Sequence, residues 1–280
     1  MKKFETGCQI NALTCLPDGK IAIALNDKRI TIWDESYDEI THTLIWHSDR
    51  VLTLAILSDG CLATGSADSR IALWDVLTGE VIKSLIGHTE SVNSLIVLND
   101  GSLASGSFDK TILIWNTKIG EIIKVLKGHI GSVNCLAILN GILISGSTDK
   151  TVILWDLAEG KIIKYLNGHN KSVISLAPID DDTLATGSID GKVLIWSIND
   201  GKIIRTLEND NWAFSIVVLR DGYLVCSAGH KSINIWNLIN GKLIQTLNTR
   251  EAVRSICLFK EGLIASGSED GIMNIWKLET

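Results

Sequence analysis

Proline is nearly missing from this chain of 280 residues: Pro17 and Pro178 are the two it has. Helical periodicity is missing too, since no apolar spacing near 3.6 residues persists over a helix-length window. No apolar run approaches the roughly 20 residues that a membrane-crossing helix needs, so no membrane partner is expected. Met1-Lys2-Lys3-Phe4-Glu5 is charged and leads into no apolar core segment, so a signal peptide is not expected. Excess positive charge is absent. The 26 Lys and Arg against 32 Asp and Glu give a net charge of −6 and a pI near 5.5. A nucleic-acid binder shows a basic footprint instead, so nucleic acid is not an expected partner. Cysteine occurs six times, at Cys8, Cys15, Cys61, Cys135, Cys226 and Cys257, but never in a CxxC pair. Zinc-ligand spacing is therefore absent, and neither a metal nor a cofactor is expected. Most of these cysteines sit in apolar runs, where a free thiol behaves as a small hydrophobe. Reduced thiols in the cytoplasm are expected, with the nucleus as the other compartment.

What the chain does have is a period. Trp33, Trp74, Trp115, Trp155, Trp196, Trp236 and Trp276 lie 41, 41, 40, 41, 40 and 40 residues apart. Seven of the nine tryptophans keep this register over nearly the whole sequence. One repeat explains the length. Val92, Leu95, Val97 and Leu98 mark an apolar strand, and Asn99-Asp100-Gly101 is a turn. Leu103 to Ser107 is a second strand and Phe108-Asp109-Lys110 a tight turn. Thr111 to Trp115 is a third strand of β-formers. Gly120 closes a loop, and Ile122 to Leu126 is a fourth strand. Hairpin-length links make these four strands an antiparallel meander.

A four-stranded sheet with two apolar faces cannot bury both alone. Seven such sheets stacked radially cover one another, and a closed ring removes the last uncovered face. The expected fold is therefore all-β: a seven-bladed β-propeller of four-stranded antiparallel blades, with residues 1–280 forming one domain. Two separate all-β domains would need a linker, and none is visible. Nine residues past the tryptophans stand His42, Lys83, Lys124, Lys164, Arg205 and Gln245. They fall on the fourth strand, where charge is expected to discourage edge-to-edge pairing.

The run from Ser105 to Trp115, the pair Gly87-His88, and the dipeptides Trp33-Asp34, Trp74-Asp75 and Trp155-Asp156 resemble the WD-repeat pattern. The resemblance covers essentially the whole chain in seven registered copies. It implies a structural hydrogen-bond chain in each well-kept blade, running from Trp to a Ser or Thr, then to His and to Asp. The matching residues are Trp74, Thr64, His47 and Asp68 in blade two, and Trp115, Ser105, His88 and Asp109 in blade three. Blade four has Trp155, Ser145, His129 and Asp149, and blade five Trp196, Thr186, His169 and Asp190. The chemistry supports this, because a buried indole N–H, imidazole and carboxylate each cost free energy unless paired. A catalytic reading of the Ser-His-Asp sets is set aside, because the set recurs four times between strands and away from any cleft.

The other blades depart from the pattern. Blade one offers Thr6, Ile23, Asp27 and Trp33. Blade six offers Asn209, Cys226, His230 and Trp236. Blade seven has Thr249 in place of His, with Ser266, Asp270 and Trp276 kept. These three blades are expected to be less rigid. No fourth strand follows Trp276, so residues 1–6 are expected to complete blade seven, with Phe4 in the place that Leu85 holds in blade two. The abrupt ends also suggest a domain cut from a longer protein.

The resemblance implies partner binding on the face that carries the tight turns and the starts of the first strands. Six residues at or beside those positions stand out: Trp46, Arg50, Phe108, Trp212, Phe214 and Arg254. Trp46 replaces the Gly that precedes His in other blades, and tryptophan and arginine are enriched in binding hot spots. The expected function is an interaction scaffold that holds a protein or peptide, as a monomeric domain of a larger complex, without enzymatic activity. The alternative is an adaptor that reads a phosphorylated or acidic motif, or ubiquitin, through arginines such as Arg50, Arg250 and Arg254. An enzyme with its site in the central channel is disfavoured, because the first strands offer little acid–base chemistry. Asp180-Asp181-Asp182 is expected to be a solvated turn and not a metal site.

Overall fold

Every repeat spends its β-branched and aliphatic residues on strands, and its Asp, Asn and Gly on turns. A computed structural model describes residues 2–36, 38–209, 211–219, 221–229, 231–260 and 262–278. The chain opens with β1 (Lys2–Glu5). Blade one is β2 (Ile10–Cys15), β3 (Ile21–Leu25), β4 (Arg29–Asp34) and β5 (Glu39–Ile45). Blade two is β6 (Val51–Ile56), β7 (Leu62–Ser66), β8 (Arg70–Asp75) and β9 (Glu80–Ile86). Blade three is β10 (Val92–Val97), β11 (Leu103–Ser107), β12 (Thr111–Asn116) and β13 (Glu121–Lys127). Blade four is β14 (Val133–Leu139), β15 (Ile142–Ser147), β16 (Thr151–Asp156) and β17 (Lys161–Asn167). Blade five is β18 (Val173–Pro178), β19 (Thr183–Ser188), β20 (Lys192–Ser197) and β21 (Lys202–Glu208). Blade six is β22 (Ile216–Val218), β23 (Tyr223–Ala228), β24 (Ser232–Asn237) and β25 (Leu243–Asn248). Blade seven takes β26 (Val253–Lys260), β27 (Leu263–Ser268) and β28 (Ile272–Lys277) from the end of the chain.

The strands of each blade pair antiparallel in sequence order, except that β1 supplies the outer strand of blade seven. There Phe4 pairs with Met273, the place that Leu85 takes opposite Ile71 in blade two. The innermost strand of each blade lies against those of its two neighbours, and β26 returns to β2, so the ring is closed.

The apolar core lies between blades and not within them. Seven clusters each span one adjacent pair. Trp115 packs with Ala55, Leu57 and Leu73 of blade two, and Trp33 packs with Phe259, Met273 and Ile275 of blade seven. The tight approach explains the glycine in the Ser-Gly-Ser runs. A Cβ on Gly106 would sit 2.6 Å from Val133 of the next blade, closer than atoms can approach.

Polar side chains reinforce the same seams. Thr53, Ser94 and Ser255 on the inner strands accept the amides of Leu95, Leu136 and Leu13 in the following blades. Asn11 and Asn134, each at an inner-strand bulge, donate to the carbonyls of Val51 and Val173 in the next blade at 2.8 Å. The cationic row on the fourth strands has a job besides the expected one. Lys83, Lys124, Lys164 and Arg205 reach into the next blade and donate to carbonyls in the turn after its third strand, as Lys124 does to Ala158 at 2.7 Å. Their charged ends cap exposed carbonyls and their stems cover the seam, so they clamp neighbours as well as occupying an edge.

Since β1 contributes only four residues, where the other outer strands have six or seven, ring closure is the weak point of the circle. Deleting residues 1–6 should lower the thermal unfolding midpoint, read by circular dichroism; an unchanged midpoint would show that β1 does not hold the ring.

Candidate functional site

Four blades carry a buried relay that runs from the third strand to the tight turn. In blade three, Trp115 Nε1–H donates to Ser105 Oγ at 2.8 Å, Ser105 meets His88 Nε2 at 2.7 Å, and His88 Nδ1 meets Asp109 Oδ2 at 2.7 Å. Trp74, Thr64, His47 and Asp68 repeat this in blade two. Trp155, Ser145, His129 and Asp149 do so in blade four, and Trp196, Thr186, His169 and Asp190 in blade five. The directions follow from the donor inventory. The indole can only donate, so the hydroxyl accepts from it and gives its own proton to Nε2. The imidazole is then neutral, with its proton on Nδ1, and donates to the carboxylate.

The aspartate closes the turn as well. Asp109 Oδ2 also accepts the Thr89 amide, while Oδ1 accepts the Thr111 amide across Lys110, whose φ is +73°. The second serine of each run was not singled out from sequence. Ser107 Oγ donates to Glu90 O and accepts the Asp109 amide, so it ties the turn to the start of the first strand. Its signal was its own recurrence two residues after the relay hydroxyl.

Burial sets the protonation of the relay. It pushes the imidazoles of His88, His129 and His169 below their ordinary value, against the pull of Asp109, Asp149 and Asp190. Burial alone would raise the Asp149 carboxyl, but hydrogen bonds from Thr151 and His129, with the charge the imidazole gains in acid, outweigh it and bring it to about 2. The four hydroxyls, on Thr64, Ser105, Ser145 and Thr186, are fully buried at 0 % exposure. No substrate atom can reach such a nucleophile, so the arrangement serves structure.

The remaining blades solve the problem differently. In blade one, Ile23 stands where the hydroxyl would be, and Trp33 Nε1 and Thr31 Oγ1 are buried with no partner among the described residues. Trp236 Nε1 of blade six is likewise unpartnered, because Cys226 offers only a weakly accepting sulfur. Blade six carries a substitute relay. Thr246 donates to Asn234 Oδ1 at 2.9 Å, Asn234 donates to Asn209 Oδ1 at 3.1 Å, and Asn209 donates to Ser227 O at 3.0 Å. His230 lies outside the described residues. Blade seven keeps the bond from Trp276 to Ser266 at 2.7 Å, while Thr249 turns to Glu251 O.

The rim selected from sequence is one structural feature. The amides of Asn26, Ala67, Phe108, Thr148, Ile189, Gly229 and Glu269 donate to the carbonyls of Gln9, Arg50, Ser91, Ser132, Ser172, Trp212 and Ala252, one bond per blade. The six expected partner-binding residues do not form one patch by contact. Trp212, 45 % exposed, meets Phe214 edge to face at 5.5 Å, and the Arg254 guanidinium lies over Phe214 at 4.1 Å. Arg254 also grips Glu269 through Nε at 2.7 Å and Nη2 at 2.5 Å. Arg50 and Phe108 are exposed on blades two and three. Trp46 is half-buried instead, packed on the core beside His47 at 5.2 Å with Arg70 over its ring. At the matching Gly87 a Cβ would meet Ile122 at 2.7 Å and Trp115 at 2.8 Å. Blade two has the shorter Val81 opposite Trp74, which leaves room for the indole.

Asp180 and Asp181 are exposed, and the aspartates on either side of Asp181 brace their own turn. Asp182 accepts from Ser197 and the Asn199 amide, and Asp180 from the Asp182 amide.

Two measurements test the relay. The pKa values of His88, His129 and His169 and of the four relay aspartates lie below the ordinary 6.5 and 3.8, so unfolding takes up protons and stability falls on acidification. The unfolding midpoint should hold above about pH 7 and drop as pH falls through about 6.5, and a midpoint that rose there would reverse the sign. Hydrogen exchange, read by mass spectrometry, should be slowest in blades two to five. It should be fastest around β22, a strand of three residues, and uniform protection around the ring would contradict this.

Residues 97–276 match the family model described as Nucleolar protein 10-like, N-terminal domain, and residues 38–75 match WD domain, G-beta repeat. No curated protein matches the chain. The first match spans well over half of the 280 residues, and the second falls on blade two, where His47, Thr64, Asp68 and Trp74 stand. With seven closed blades and the buried relay on hand, the chain belongs to the WD-repeat β-propellers, in the family of Nucleolar protein 10-like N-terminal domains.

Proposed function

We propose that the chain is an interaction scaffold, acting as one domain that holds a protein or peptide on the rim where the tight turns meet the first strands. The observation that carries this is the ladder of Trp212, Phe214 and Arg254 across blades six and seven. The indole is 45 % exposed, and its neighbours fix its position before any partner arrives. A rigid aromatic anchor loses little freedom on binding, which is what a hot spot needs. Arg50 and Phe108 extend the same rim on blades two and three, and Trp46 supports it from beneath.

A second reading is an acidic or phosphorylated motif. Arg50 favours it, being exposed and in no ion pair among the described residues, whereas Arg254 is already engaged by Glu269. The family name comes from a nucleolar protein, which favours the nucleus over the cytoplasm for this chain too.

The test is quantitative. A partner isolated on the wild-type chain should bind Trp212→Ala and Arg254→Ala at least about tenfold more weakly. Arg50→Ala should matter only if the partner is acidic. Unchanged affinity in the Trp212 and Arg254 variants, each folded by circular dichroism, would move the site away from this rim.

A further inference from the structure

Two cysteines far apart in sequence meet at the seam where the ring closes. Cys15 ends β2 of blade one, Cys257 lies in β26 of blade seven, and their sulfurs are 3.7 Å apart. The strands are held in register beside them by the bond from the Leu13 amide to Ser255 Oγ at 3.0 Å. Cys15 also donates to Leu258 O at 2.9 Å. Both residues are partly exposed, and the Cys15 thiol is the more open of the two.

The placement is specific to this seam. Following the strand register from the blade tryptophans, the same pair of positions is Thr14 with Ile56 between blades one and two, and Ile96 with Ile138 between blades three and four. It is Ala177 with Val218 between blades five and six. Elsewhere the site is filled without a thiol. The two cysteines stand where the circle depends on the short β1 strand for its closure.

We propose that Cys15 and Cys257 are an oxidation site, at which a peroxide joins them in a disulfide that locks blade seven to blade one. The sulfurs must approach to about 2.05 Å, a movement of under about 2 Å that rotation of both side chains supplies. The Cys15 thiolate attacks one peroxide oxygen, the O–O bond breaks, and hydroxide leaves to be protonated to water. The Cys257 sulfur then attacks the resulting sulfenic acid. The S–O bond breaks, and the hydroxide leaves as water with the Cys257 proton. Two thiols lose two electrons, and one peroxide becomes two waters. The hydrogen bond between the thiols holds Cys15 below the usual thiol range and pushes Cys257 above it, which suits Cys15 to the first attack.

The full chain is treated with hydrogen peroxide, alkylated and mapped by mass spectrometry, with thermal unfolding read before and after. A peptide pair joining Cys15 to Cys257 is expected, with a rise in midpoint of about 5 °C that dithiothreitol reverses. Cys15→Ser should remove both, and Cys8→Ser should remove neither. Should Cys257→Ser fail to fold, the partly exposed Cys15 alone decides the matter. Absence of the linked peptide, or a redox-dependent midpoint that survives in Cys15→Ser, would overturn the assignment.

Discussion

Each blade tryptophan packs against the blade before it, and the rest of the molecule depends on that contact. Trp33, Trp74, Trp115, Trp155 and Trp196 are almost wholly buried in clusters that cross a seam. A sheet whose two faces are both apolar has no stable form alone, so one blade's stability is a property of its neighbours. The same demand explains the glycine that faces the following blade in five of the seven blades, the inner hydroxyls, the asparagines at the bulges and the lysines that reach across on the outside. All of them act between blades. A broken seam would expose two apolar faces at once, which is why closure by β1 matters out of proportion to its four residues.

Burying an indole against a neighbour creates a second demand, a partner for its N–H. The relay meets it by passing one hydrogen bond after another to the carboxylate of the tight turn, and so couples the core to the rim. The turn that presents Phe108 is fixed by Asp109, which is fixed through His88 and Ser105 by Trp115. Where the relay fails, at Trp33 and Trp236, the indole N–H finds no partner among the described residues. Blade six carries Trp212 and Phe214 of the aromatic ladder and has the shortest inner strand. The candidate binding surface thus sits on the part of the ring with the least internal bracing, where a partner's contacts would add the most order.

Much of this was legible in the residues, for reasons that differ by feature. The tryptophan period reveals blade number because each blade needs one large wedge at a fixed place. The strand limits of blade three follow from turn chemistry, with Leu98 falling just outside β10. Phe4 was readable as the completing strand because its partner position is set by the register. Asn209 was readable at the histidine position, but its relay was not, since Asn234 on β24 and Thr246 on β25 carry no motif. The cationic fourth-strand positions looked like edge protection, because sequence cannot show that a long side chain crosses to a neighbour's carbonyl. Trp46 looked like a surface feature, because only packing reveals the space beside Val81.

The sequence by itself determined the seven repeats, the four strands of each, and the residues of the four intact relays. Those depend on local turn chemistry and on a fixed spacing within one blade, where residues close in sequence are close in space. Tertiary structure alone decided everything that joins one blade to the next. It brought Arg254 onto Phe214, Cys15 beside Cys257, and Lys124 onto Ala158. These partners belong to different repeats, and the angle between stacked sheets, which no single repeat encodes, sets which side chains meet.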